Sequence, residues 1–111
     1  MSCLSKQHRL NDSRDFNQLY RNGKKWHTHS FVVFFSVDEN LKLAFVASKK
    51  VGNAVKRAKA KRKLRALTLK NENSLKNGKY IFVAKELVFQ KSFEQLENDF
   101  KYAMKKLQLF K

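Results

Sequence analysis

The chain has 111 residues, no proline, a single cysteine and a formal net charge of +16. That length suits one domain, expected to run over 1–111 with 1–9 as a loose arm, and a 42% apolar content with ten Phe is enough for a real core. One cysteine, Cys3, excludes an intrachain disulfide and a Cys-rich zinc site; the absence of an apolar leader or of a run near the roughly 20 residues of a spanning helix points to a cytoplasmic protein.

In chain order, Lys6, His8 and Arg9 are positive points in the arm, and Asn11, Asp12 and Ser13 offer helix N-caps. Phe16, Leu19 and Tyr20 follow at helical spacing, and Asn22-Gly23 ends that turn, with Gly23 expected in the left-handed C′ conformation. A helix over about 13–22 results. Lys24 to Ser30 reads as a polar connector. Phe31 to Val37 is β-branched and aromatic, hence a strand, with Phe31, Val33, Phe35 and Val37 on one face and Val32, Phe34 and Ser36 on the other. After a turn at Asp38-Glu39-Asn40, Lys42 to Ser48 forms a second strand antiparallel to the first, with Leu43, Phe45 and Ala47 toward the core.

Gly52 and Asn53 then punctuate the chain, and Asn53 caps a helix running to about Leu69. Ala60, Leu64 and Leu67 cluster in a narrow arc of that helix and would dock it. Lys79 to Ala84 is a third strand. Ser92 and Gln95 make a capping box for a last helix whose apolar stripe is Phe93, Leu96, Phe100, Ala103, Met104 and Leu107. The order α-β-β-α-β-α defines an α+β sandwich with one small mixed sheet.

Charge singles out one part of this frame. Residues 1–39 carry six bases and four acids, and residues 72–111 carry eight and five, but residues 40–71 carry eleven bases and no acid. A solvated helix normally sets Glu at i±4 from its Lys. Here Lys56, Lys59, Arg62 and Lys63 on one side, and Arg57, Lys61 and Arg65 on the other, have no such partners. The pattern calls for a polyanion: RNA, DNA or, weakly, an acidic membrane. The apolar stripe is too narrow for the helix to insert into a membrane.

Catalytic constellations are missing. The nine acids fall on caps, turns and a solvated helix face, no Gly-rich phosphate loop occurs, and Cys3 in an arm is a poor nucleophile. His27 and His29, alternating on an extended segment, could share a metal only with further ligands that the neighbourhood lacks; contact with phosphate or plain solvation is the simpler account. Phe16, Tyr20 and Phe34 have two readings from pattern alone. They could floor a cleft on which single-stranded bases stack, or form a second small core seating the first helix. No feature calls for an obligate protein partner.

Lys49-Lys50-Val51-Gly52-Asn53-Ala54-Val55, followed by Arg57-Ala58-Lys59, Lys61-Arg62 and Arg65, resembles the signature of the bacterial ribonuclease P protein component. Arg9-Leu10, Asp15-Phe16, Tyr20 and Gly23, then the strands and the closing helix, follow the same family's order. One departure stands out: Ala58-Lys59 replaces the family's usual Asn-Arg, losing an amide and a planar fork that grips phosphate at two points. The resemblance implies a ribosomal protein S5 domain 2-like fold, with two parallel strands joined through the basic helix. It implies a protein subunit without catalytic residues, whose partners are the ribonuclease P RNA and precursor tRNA. The RNA, with Mg²⁺, would remove the 5′ leader. Lys49, Lys50, Asn53, Lys56, Arg57, Lys59, Lys61, Arg62 and Arg65 would meet the RNA subunit. Phe16, Tyr20, Val32, Phe34 and Val46 would hold the leader, which favours the stacking reading. The alternatives are a ribosomal-type RNA-binding protein with no enzyme attached, and a metal-dependent nuclease centred on His27 and His29.

Overall fold

Four strands in the order β1-β2-β4-β3 form the middle layer, with one helix on one face and two on the other. The computed structural model describes Leu10 and residues 13–111; Cys3, Lys6, His8, Arg9 and the possible caps Asn11 and Asp12 lie outside the described residues. The elements are α1 (Ser13–Asn22), β1 (Lys24–His27), β2 (Phe31–Ser36), β3 (Leu41–Ala47), α2 (Ala54–Asn71), β4 (Gly78–Ala84) and α3 (Phe93–Lys106).

The polar connector is a strand. β1 pairs antiparallel with β2, placing Trp26 opposite Val33 and His27 opposite Val32. Only Trp26 packs on the main core, so the alternation of an edge strand reduces to one inward residue. Thr28 makes the turn: its Oγ1 accepts the N–H groups of Ser30 at 3.2 Å and Phe31 at 2.9 Å, while its own N–H donates to the Phe31 carbonyl at 2.8 Å. A hydroxyl thus supplies the closure usually left to glycine.

β2 is antiparallel to β4, and β4 is parallel to β3, with α2 in the crossover. The Lys42–Ser48 strand runs opposite to β2 as expected, but β4 lies between them. β4 is therefore, with β2, an interior strand, which explains its apolar residues on both faces.

Tyr80, Phe82, Phe31, Val33 and Leu43 on one sheet face meet Leu64 and Leu67 of α2, and Leu96, Phe100 and Met104 of α3. Phe82 stacks on Tyr80, Phe45 and Phe100, with centroids 6.0, 5.6 and 5.7 Å away. The capping box of α3 is complete: Ser92 Oγ accepts from Gln95 N–H, and Gln95 Oε1 accepts from Ser92 N–H. Two residues expected in the core are outside it. Val37 is 82% exposed because pairing with β4 stops at Ser36, and Phe93 is 43% exposed as the first residue of α3.

Gly23 is not left-handed; among the described residues positive φ occurs at Gly52, Gly78 and Gln108 instead. The constraint at Gly23 is space. A Cβ there would stand 2.6 Å from the Leu19 carbonyl oxygen and 3.0 Å from that of Phe35, so a bare backbone is needed where α1 runs into β1.

Candidate RNA interface

α2 begins where β3 ends. Lys49–Val51 form a 3-10 turn whose Val51 is buried, and Gly52 follows at φ 141°, a conformation that L side chains rarely adopt. Asn53 then caps α2, its Oδ1 accepting Lys56 N–H at 3.0 Å. The Lys49–Val55 lead therefore combines one apolar anchor, one special turn and one cap, with Lys49 and Lys50 left exposed.

Ala60, Leu64 and Leu67 are fully buried, as their narrow arc predicts. Thr68 joins them, its Oγ1 donating to the Leu64 carbonyl at 2.8 Å so that the hydroxyl is satisfied inside. Burying each Leu contributes about 1.5–3 kcal/mol, and that anchor holds a helix with no acid of its own. Around it lie two cationic flanks. Lys59, Arg62 and Lys63 face the α3 side, with Lys63 Nζ 5.6 Å from the Phe89 ring centroid, while the Lys56 side chain lies over Gly52. Arg65 lies toward β3, its guanidinium 5.7 Å from the Phe45 ring, with Lys61 one turn before it on the helix. Arg57 sits half-buried beside the anchor, and its Nε has no hydrogen-bond partner among the described residues. Ala58 is exposed near Lys61 and Arg65, so the missing amide leaves a bare patch within the cationic surface.

The opposite sheet face carries the second feature. Leu10, Leu19, Ala44 and Ile81 form a small buried core that seats α1, and Leu10 N–H also donates to the Leu43 carbonyl at 2.9 Å. Phe16, Phe34, Val46 and Val83 pack around that core while remaining partly open. Tyr20 is 44% exposed and meets Phe34 edge-on at 4.9 Å; Phe16 lies 6.3 Å from Tyr20. Phe16 and Phe34 pack on the small core as the second of the two readings has it, and the partial exposure of the rings leaves surface on which a base could stack. Aliphatic residues seat the helix, and the aromatic rims stay accessible. Val32, Val83 and Val46 form one row across β2, β4 and β3, a floor beside the rings.

This trough leads toward the basic lead. A groove of about 410 Å³ starts at Val83 and is lined by His29, Ser48, Lys50, Lys85 and Leu87 among others. Lys85 had no distinguishing sequence signal. It is fixed by donating from Nζ to the Thr28 carbonyl at 2.6 Å, and its N–H donates to the Ser30 carbonyl. His27 is held below its ordinary range, first by lost solvation and then by Lys85 and Lys25. The chain turns between His27 and His29, so they do not alternate along one strand, although both line a hollow with Trp26, Asp99 and Tyr102. Asp99 is already engaged by Ser30 Oγ at 3.0 Å and Lys91 Nζ at 2.8 Å. Among the described residues no group of three His, Cys, Asp or Glu side chains could hold a metal ion, so these residues do not fit a protein-only Mg²⁺ site. No helix among the described residues is long and apolar enough to cross a membrane.

The sequence profile of the Ribonuclease P family matches residues 4–108. The ribonuclease P protein component of a Nitratiruptor species is 39% identical over 90 residues, covering 81% of this chain and 83% of the relative. That of Syntrophomonas wolfei subsp. wolfei is 31% identical, covering 96% and 92%. Among solved structures, a Staphylococcus aureus RNase P protein mutant with defective mRNA degradation activity superposes with a TM-score of 0.85 at 26% identity, covering 95% of this chain and 92% of the other. The RNase P protein from Thermotoga maritima superposes at 0.77 with 25% identity, covering 88% and 96%. A match over nearly the whole sequence, carried by the lead into α2 and by the same fold, makes this chain a member of the ribonuclease P protein component family.

Proposed function

We propose that this chain is the protein subunit of a ribonucleoprotein endonuclease that removes the 5′ leader from precursor tRNA, acting in the cytoplasm. The observation that carries the reading is α2: a helix of the family's signature, anchored by four fully buried residues, with an acid-free cationic surface turned outward. Lys49, Lys50, Asn53 and the cations of α2 bind the RNA subunit through its phosphates, with Arg57, Arg62 and Arg65 offering planar forks and the lysines point charges. Asn53 serves that contact indirectly by starting the helix. Phe16, Tyr20 and Phe34, above Val32 and Val46, stack bases of the single-stranded leader. Lys50 and Lys85 then guide its phosphates toward α2. The chain supplies no catalytic side chain. Mg²⁺ held by the RNA carries the chemistry, and the protein screens the repulsion between two RNAs so that less Mg²⁺ suffices.

The test is cleavage of a leader-bearing precursor by the cognate RNA with and without this protein across a Mg²⁺ series. Stimulation confined to low Mg²⁺ is the expected result. Equal rates with and without the protein would overturn the reading, and cleavage by the protein alone would point to the nuclease alternative.

A further inference from the structure

One groove lies on the other side of α2 from the path of the leader. It has a volume of about 370 Å³ and is lined by Lys59, Arg62, Lys63, Ala66, Phe89 and Phe93, with no acid among them. Phe89 and Phe93 come from the segment that enters α3 and from its first turn, so the groove runs between α2 and the start of α3. Three observations set it apart from a gap in packing. Phe93 is 43% exposed at the end of a helix whose next stripe residue, Leu96, is fully buried, so the ring is not spent on the core. Lys63 and Lys70 stand 5.6 and 5.7 Å from the Phe89 and Phe93 ring centroids, which keeps cations beside aromatic surface. Ala66 lines the groove with a single methyl group, the smallest of its lining side chains.

We propose that this groove seats one unpaired base of an RNA strand whose phosphates lie on Lys59, Arg62 and Lys63. The inference rests on the reading of α2 as the RNA-subunit contact and adds to it a base-binding site. Charge complementarity selects the occupant. An apolar peptide would leave three cations at the rim without counter-charge, and a helical RNA backbone alone would leave two aromatic rings unused. A base extruded from its stack matches both, presenting a π-face to the rings and an anionic phosphate to the rim. The site is separate from the leader trough, which lies on the α1 face of the sheet.

The test measures binding of the cognate ribonuclease P RNA transcript to wild type, Phe93→Ala, Phe93→Tyr and Ala66→Gln. Phe93 and Ala66 are exposed and Gln is a good helix former, so these variants keep their melting transitions. Phe93→Ala is expected to bind roughly 5- to 150-fold more weakly, Ala66→Gln to lose affinity comparably by filling the groove, and Phe93→Tyr to stay near wild type. The salt dependence should not change, since no charge is removed. In a Trp26→Phe background, the introduced indole of Phe93→Trp should be quenched when RNA binds. Wild-type affinity in both Phe93→Ala and Ala66→Gln, with an unquenched indole, would overturn the base site and leave a protein segment as the occupant, while the proposed function stands. No binding by wild type would overturn both.

Discussion

Lys79 Nζ donates to Asp15 Oδ1 at 2.8 Å, tying the first turn of α1 to the interior strand β4. Both side chains are about one-fifth exposed, so the pair is less screened than a surface bridge and more solvated than a buried one. It orients the helix that carries Phe16 and Tyr20. Asp15→Ala is expected to cost about 1 kcal/mol of stability and to weaken leader-bearing precursor more than mature tRNA. Thermal melts and binding to both RNAs check this; equal loss for the two would assign the pair to stability alone.

Phe34 faces Tyr20 edge-on but is not part of the buried quartet that seats α1. Phe34→Ala should therefore leave the protein folded and weaken precursor binding by about 1–3 kcal/mol, with little effect on mature tRNA. Phe16→Ala should act in the same direction with a comparable stability loss, because both rings pack against the rim of the small core. Circular dichroism beside equilibrium titration separates the two effects.

On α2 the exposed Arg62 is expected to act through phosphate. Arg62→Ala should reduce the slope of log K against log salt by about 0.7–0.9 in a titration with the RNA subunit. Ala58→Asn, beside Lys61 and Arg65, adds an amide and no charge, so it should leave that slope unchanged whatever it does to affinity.

His27 gives a pH signature. Its folded-state value lies below the ordinary 6.5, with lost solvation first and Lys85 and Lys25 next. The unfolded chain then binds the proton more readily, so this group makes stability rise with pH through the window just below 6.5 and adds nothing above it. On the proposed leader path past Lys85, a phosphate close to His27 would reverse the bias by favouring the charged ring. Precursor binding should therefore take up a proton in that window and tighten as pH falls, and His27→Gln should flatten the profile. Titrations in two buffers of different ionisation enthalpy measure the uptake directly.

What could be read without coordinates was local. Ala60, Leu64 and Leu67 at helical spacing, the Asn53 cap and the Ser92–Gln95 box each involve residues within a few positions of one another, and each stands as expected. β1 was hidden because it turns only Trp26 toward the core, and because Thr28, not glycine, closes its hairpin. Val37 and Phe93 kept the alternation of their elements past the point where packing stops. The position of β4 between β2 and β3 depends on pairing across the whole chain, which no window of residues contains. The signature located the cationic helix, but its lining partners, Lys85 at one groove and Phe89 and Phe93 at another, are brought in from distant segments.

β3 places Val46 under the trough and continues straight through Ser48 into the turn that bears Lys49 and Lys50. Lys50 lies four positions after Val46, a reach of no more than about 14 Å of extended chain. No hinge or long loop intervenes, and Val51 pins the far end to the core. The strand therefore works as a ruler. On the proposed function, a leader held over Val46 and an RNA subunit held at Lys49 and Lys50 would sit at one fixed spacing, which would set the distance between the grip and the cut.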